Sequence, residues 1–89
     1  MTLLEAHKIM MDRYLYIARE IGDEHLIKFC TASNDLVNPD KLSRWVGYVQ
    51  GTLIERGVLD TKFERDFSRP IYQPIYAAQG YTTETIEIS

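Results

Sequence analysis

Leu3, His7, Met10, Tyr14, Ile17 and Ile21 recur at alternating spacings of four and three, the repeat that lines up one face of an α-helix. Leu4, Met11, Leu15 and Ala18 widen that stripe, so the first helix presents a broad face to be covered. Thr2 and Glu5 set its start through the T-x-x-E capping box, in which each side chain satisfies a backbone amide of the first turn. Gly22 supplies the left-handed residue that ends many helices. On the outer side, Lys8 and Asp12 stand one turn apart and are expected to pair weakly.

Asp23 caps a second helix whose apolar positions are Leu26, Ile27, Phe29 and Cys30, running to about Asn34. Residues 34–38 read as a loop, rich in side chains that compete for backbone hydrogen bonds. Asn38-Pro39-Asp40 then combines a cap, a proline suited to the first helical position and an acid beside the positive helix end. The third helix is expected over 39–56, stopping at Gly57, with Leu42, Val46, Val49 and Leu53 as its core stripe and Trp45 flanking it. Thr61 and Glu64 repeat the capping-box spacing and predict a short fourth helix that turns Phe63 and Phe67 inward. Pro70 drives Arg69 out of the helical region and ends it. The triplet Pro-Ile-Tyr, present at 70–72 and 74–76, reads as an extended stretch followed by a turn of helix over 74–79 that stops at Gly80. The expected architecture is all-α: a small helical bundle of three main helices plus one or two short C-terminal helices. Residues 1–80 form a single domain whose core lies between the first and third helices, and residues 81–89 form a tail, frayed rather than paired as a strand with a partner.

Size changes this picture by adding a second chain. A domain of 89 residues buries only roughly 60–65% of its unfolded surface, and small domains often compensate by oligomerising, so a homo-oligomer, most simply a dimer, is expected. The net charge of −3 argues weakly against a dedicated nucleic-acid binder. Its distribution is uneven: residues 1–40 hold four basic and seven acidic side chains, and residues 41–69 hold six basic and four acidic. That asymmetry reads as a mixed solvated surface, with steering of an anion to the middle segment as the functional alternative. Cys30 is the single cysteine, which rules out an intrachain disulfide and a cysteine pair for zinc. With no basic-then-apolar leader and no long uncharged apolar run, the expected setting is the cytoplasm, away from membranes.

The candidate chemistry is sparse. His7 and His25 each lack a ligand at the one-turn spacing of helical zinc sites, so neither metal nor cofactor is expected. Cys30 sits among apolar neighbours, which favours an inert thiol. No serine occupies a nucleophile elbow, and Gly47 and Gly51 lie within a helical pattern rather than a phosphate loop, so an enzyme is not expected. Those glycines each cost roughly 1 kcal/mol against alanine in a helix interior. With Ser43 they form a strip of small residues that lets another backbone approach, from the same subunit or a symmetry mate. The functional alternative is a shallow groove in which Tyr48 stacks and Arg44 pairs with an anion. A second cluster, Arg56, Lys62, Arg65 and Arg69 with Phe63, Phe67, Tyr72 and Tyr76, mixes arginines with aromatics. There, local salt bridges to Glu64 and Asp66 compete with ligand binding as the explanation. Lys41, Arg44, Gln50 and Arg56 are too scattered around the third helix for a DNA-recognition helix, so DNA ranks last among partners. The candidate binding residues are Arg44, Trp45, Gly47, Tyr48, Gly51, Arg65, Arg69 and Tyr72.

Lys41-Leu42-Ser43-Arg44-Trp45-Val46-Gly47-Tyr48-Val49-Gln50-Gly51, followed by Glu64-Arg65-Asp66-Phe67-Ser68-Arg69-Pro70-Ile71-Tyr72, resembles a pattern of small proteins of tailed bacteriophages. There it runs K-L-x-R-W-hydrophobic-G-aromatic-hydrophobic-Q-G and then acidic-R-x-x-x-R-P. The resemblance transfers no catalytic or binding residue. It implies a setting in which small non-enzymatic proteins bind a host protein, inhibit a defence system or trap a signalling nucleotide. The expectation is a phage accessory protein in the host bacterial cytoplasm that inhibits a host or defence factor by stoichiometric protein–protein contact. A binder that sequesters an anionic nucleotide is the alternative, and a small DNA-binding regulator the third reading.

Overall fold

A computed structural model describes residues 1–79, and the expected tail at 81–89 with its Gly80 boundary lies outside the described residues. Four α-helices follow one another: α1 (Leu3–Ile21), α2 (Glu24–Ala32), α3 (Pro39–Glu55) and α4 (Thr61–Ala78), with a 3-10 turn at Ser33–Asp35 between α2 and α3. Among the described residues the fold is all-α, without a strand.

The local signals act where they stand in the chain. Thr2 accepts from the Glu5 amide at 3.1 Å and Glu5 returns the bond to the Thr2 amide at 2.9 Å, so both arms of the capping box are closed. Gly22 takes φ 71° and sends its N–H back to the Ala18 and Arg19 carbonyls, which stops α1. Asp23 accepts from the Leu26 amide at 2.9 Å and starts α2 one residue later. Asn38 accepts from the amides of Asp40 and Lys41, with Pro39 opening α3. Gly57, at φ 74°, follows the last turn of α3. Lys8 does not pair with Asp12 but reaches the Asn34 carbonyl at 3.3 Å.

The core gathers Met10, Met11, Tyr14 and Ala18 of α1, Leu26 and Cys30 of α2, and Leu42, Val46, Val49 and Leu53 of α3. The α3 stripe is the one its spacing predicts. The α1 face also buries Ala6, whereas Ile21 at its end stays exposed. Burying side chains of this size contributes about 1.5–3 kcal/mol each for the larger aliphatics. Helix α1 packs most widely on α2 and α3 and more narrowly on α4, while the backbones of α3 and α4 stay apart.

The C-terminal region departs from the expectation of a short helix and an extended proline segment. Helix α4 runs unbroken through Pro70 and Pro74. Each proline removes a backbone donor and costs on the order of 3 kcal/mol in a helix interior. The two are one turn apart, so both losses fall on one exposed face, where water can reach the freed carbonyls of Asp66 and Pro70. The adjoining faces bury Ile75 and pack Ile71 and Tyr72 on the core, and that packing holds the helix. The start also differs. Asp60 is the cap, accepting from the Phe63 amide at 2.9 Å, and Thr61 is the first helical residue. Phe63 and Phe67 face outward, at 60% and 36% exposure, and the residue turned inward is Glu64.

Candidate functional site

Glu64 is 1% exposed, a carboxylate inside a helical protein. It holds the Arg13 guanidinium of α1 and accepts the Tyr14 hydroxyl at 2.8 Å. Burial, and then the bond to Glu64, push the Tyr14 hydroxyl far above the ordinary phenol range; the Gln50 side chain of α3 acts in the opposite sense. Helices α1, α3 and α4 thus converge on one buried polar cluster. The salt bridges expected within α4 are in part rearranged: Glu64 pairs with Arg13 and Arg56 with Asp23, while Lys62 pairs locally with Asp66 at 2.8 Å.

Beside this cluster, the gap between α3 and α4 opens into a groove of about 330 Å³ floored by His7 and Met10 of α1. Ser43, Gly47, Gln50 and Ile54 form the α3 wall. The α4 wall carries Arg65, Ser68, Arg69, Tyr72 and Tyr76. His7 is 3% exposed, and its Nδ1 lies 2.8 Å from the Tyr72 hydroxyl. Its Nε2 is buried with no hydrogen-bond partner among the described residues. Burial depresses the His7 pKa and raises that of Tyr72, so both rings are neutral at physiological pH. Tyr72 and Tyr76 lie with their ring centres 6.2 Å apart.

Of the residues that the sequence singles out, Gly47, Arg65, Arg69 and Tyr72 share this groove. Arg44, Trp45, Tyr48 and Gly51 do not. Trp45 stacks on Phe29 of α2 at 4.2 Å between ring centres, and Tyr48 lies 4.9 Å from the same ring with its hydroxyl 3.4 Å from His25 Nε2. Arg44 is exposed on the same helix, and Trp45 and Tyr48, the second of which the alternative reading gave to a shallow groove with Arg44, pack on Phe29 in an α2–α3 aromatic seam. The tight crossing at the glycines does not occur among the described residues: a side-chain carbon built on Gly47 or Gly51 meets none of their atoms within 4 Å. The basic and amide residues of α3 serve separate purposes, with Gln50 in the groove and Arg56 on Asp23. Cys30 is buried, and burial pushes its thiol up to about 11. Ser43 belongs to the strip of small residues that the sequence shows, whereas His7 and Gln50 were not among the groove candidates; the signal for Gln50 is the four-three-four spacing of Ser43, Gly47, Gln50 and Ile54.

On the outer side of the Glu64 cluster lies a different surface. The Arg13 guanidinium sits 4.3 Å from the centre of the Phe67 ring and 5.8 Å from that of Phe63, within cation–π range of both. Ile9 and Tyr16, one turn to either side of Arg13 on α1, are also exposed. No helix among the described residues is long and apolar enough to cross a membrane, and they contain no group of three or more His, Cys, Asp or Glu placed to hold a metal ion. Compared with protein-family models, curated proteins and solved structures, the chain finds no match.

Proposed function

We propose that this chain works by stoichiometric binding to another protein through the surface formed by Ile9, Arg13 and Tyr16 of α1 with Phe63 and Phe67 of α4. The observation that carries the reading is the fixed Arg13 between two outward phenylalanines. Glu64 anchors its guanidinium from beneath, so little side-chain freedom is lost when a partner covers it. Aromatic and arginine side chains dominate the energetics of protein interfaces, and preordered ones do so at the least entropic cost. Large exposed apolar side chains grouped on one face are what such an interface needs. The resemblance to small tailed-phage proteins supports reading the partner as a host or defence factor in the bacterial cytoplasm, with inhibition by occupancy as the mode of action.

The test is a pulldown from host lysate with the wild-type chain and with the Phe63→Ser/Phe67→Ser double variant, whose helicity is checked by circular dichroism. A partner retained at a fixed ratio by the wild type and lost by the folded variant supports the proposal. Failure to recover a specific partner, or equal recovery by both, overturns it. A wild-type dimer that becomes monomeric in the variant would instead assign the face to self-association.

A further inference from the structure

We propose that the groove between α3 and α4 is a binding site for a small phosphorylated molecule with a planar ring, of the nucleoside monophosphate type. This surface is separate from the one that carries the protein contact, and the two stand or fall independently.

Two arginines line the groove in a chain of net charge −3. Arg65 and Arg69 stand one turn apart on the α4 wall, and the facing α3 wall of Ser43, Gly47, Gln50 and Ile54 contains no acid. Of the nearby carboxylates, Glu64 lines the groove but is committed to Arg13 and Tyr14, and Asp66, outside the lining, is bound to Lys62 while also acting on both arginines. Two guanidinium groups at this spacing suit the oxygens of one phosphate, because each presents a planar fork of donors. Farther along the same wall, Tyr72 and Tyr76 offer adjacent ring surfaces, apolar in body and suited to cover a flat heterocycle.

His7 adds the observation that calls for a ligand. Across their 2.8 Å contact either His7 Nδ1 or the Tyr72 hydroxyl is the donor, and in both tautomers His7 Nε2 is left without a partner among the described residues, as an N–H or as a lone pair. Buried polar atoms are rarely left so, and a heterocycle that carries both donors and acceptors, as nucleobases do, would satisfy this one. Gly47 leaves the α3 wall open where any other residue would begin a side chain. The volume of about 330 Å³ lies at the small end of the range for small-molecule sites, about 300–1,000 Å³.

The experiment is calorimetric titration, with thermal melts in parallel, of the wild-type chain against four ligand sets: the nucleoside monophosphates, the corresponding nucleosides, ribose 5-phosphate and inorganic phosphate. At least one monophosphate is expected to raise the melting temperature and saturate. Its nucleoside and ribose 5-phosphate should each bind about tenfold more weakly or worse, because each lacks one half of the recognised chemistry. Arg65→Ala and Arg69→Ala should each weaken the monophosphate about tenfold and leave nucleoside binding unchanged. Gly47→Leu, which fills the groove from a helix position with open space around it, should abolish binding in a folded protein, while Phe63→Ser/Phe67→Ser should leave it intact. Binding should also move the nitrogen resonance of His7 Nε2. Absence of any melting shift at saturating monophosphate, equal binding by the Gly47→Leu variant, or inorganic phosphate binding as tightly as the monophosphates would each overturn the proposal.

Discussion

Replacing Gly47 and Gly51 with alanine decides whether the glycine strip of α3 is bare or covered. Both residues sit in the interior of α3 with negative φ, so alanine adopts their backbone without strain. A methyl at either position meets no atom of the described residues within 4 Å, so no steric term from them opposes the change. What remains is the helix preference for alanine over glycine, about 0.8–1.0 kcal/mol per position, which arises largely from the lower entropy of the unfolded chain. Treating the two as independent gives roughly 1.6–2 kcal/mol for the double variant. For a domain of this size that corresponds to a rise in melting temperature on the order of 10 °C. Urea unfolding followed by circular dichroism should show a higher midpoint with an unchanged slope, since the surface exposed on unfolding is the same. The measurement is made at low and at high protein concentration. A loss of stability at either position, or a gain that vanishes as concentration rises, would refute the reasoning and show that another backbone packs on the strip in a second copy of the chain.

Three further outcomes follow from the buried polar groups. Glu64→Leu should cost about 3 kcal/mol, because it strands Arg13 and removes the acceptor of Tyr14, whereas Tyr14→Phe should cost only about 1–2 kcal/mol; equal costs in urea unfolding would contradict the cluster. The pKa of His7 is depressed by burial, so the unfolded chain takes up its proton at a higher pH than the folded one. Its contribution to stability is therefore complete above the unfolded value and is lost as pH falls below about 6.5. The His7→Gln variant should lack that component in denaturation profiles between pH 7 and 5. Cys30, buried and with its thiol pushed up to about 11, should react with a thiol reagent at pH 8 only as fast as the protein opens. A labelling rate in native buffer equal to that in urea would exclude this placement.

The parts of the fold legible in the sequence are those written in local chemistry. Thr2 with Glu5, Asp23, Asn38 with Pro39, and the glycines at 22 and 57 mark helix ends because their partners lie within a turn of chain. The α3 stripe was legible for the same reason, since a four-three repeat has one meaning on an isolated helix. Helix α4 was not. Its inward residue is a glutamate whose partners, Arg13 and Tyr14, lie 51 and 50 residues earlier, so no nearby pattern announces them. With the carboxylate drawn in, Phe63 and Phe67 are left outside, against the rule that places phenylalanine in the core. The prolines failed as stop signals because their penalty is local while the packing of Ile71, Tyr72 and Ile75 is not. Residue type alone singled out Gly47 in the strip of small residues and Arg65, Arg69 and Tyr72 in a separate cluster, and the groove is lined by all four. Residue type also drew in Arg44, Trp45, Tyr48 and Gly51, because which side of α3 faces α4 is fixed by tertiary packing.

The ties that fasten α4 to α1 join distant parts of the chain, with His7 and Tyr72 65 positions apart. Contacts between α1 and α2 close a short hairpin, whereas docking α4 closes a loop several times longer, at a cost greater by roughly 1 kcal/mol in chain entropy. Low-separation contacts close at the least entropic cost, so α1, α2 and α3 are expected to assemble first and α4 to dock last, burying Glu64 as it arrives. Any molecule that bridges α4 to the remainder would then raise the population of the docked helix and slow its departure together.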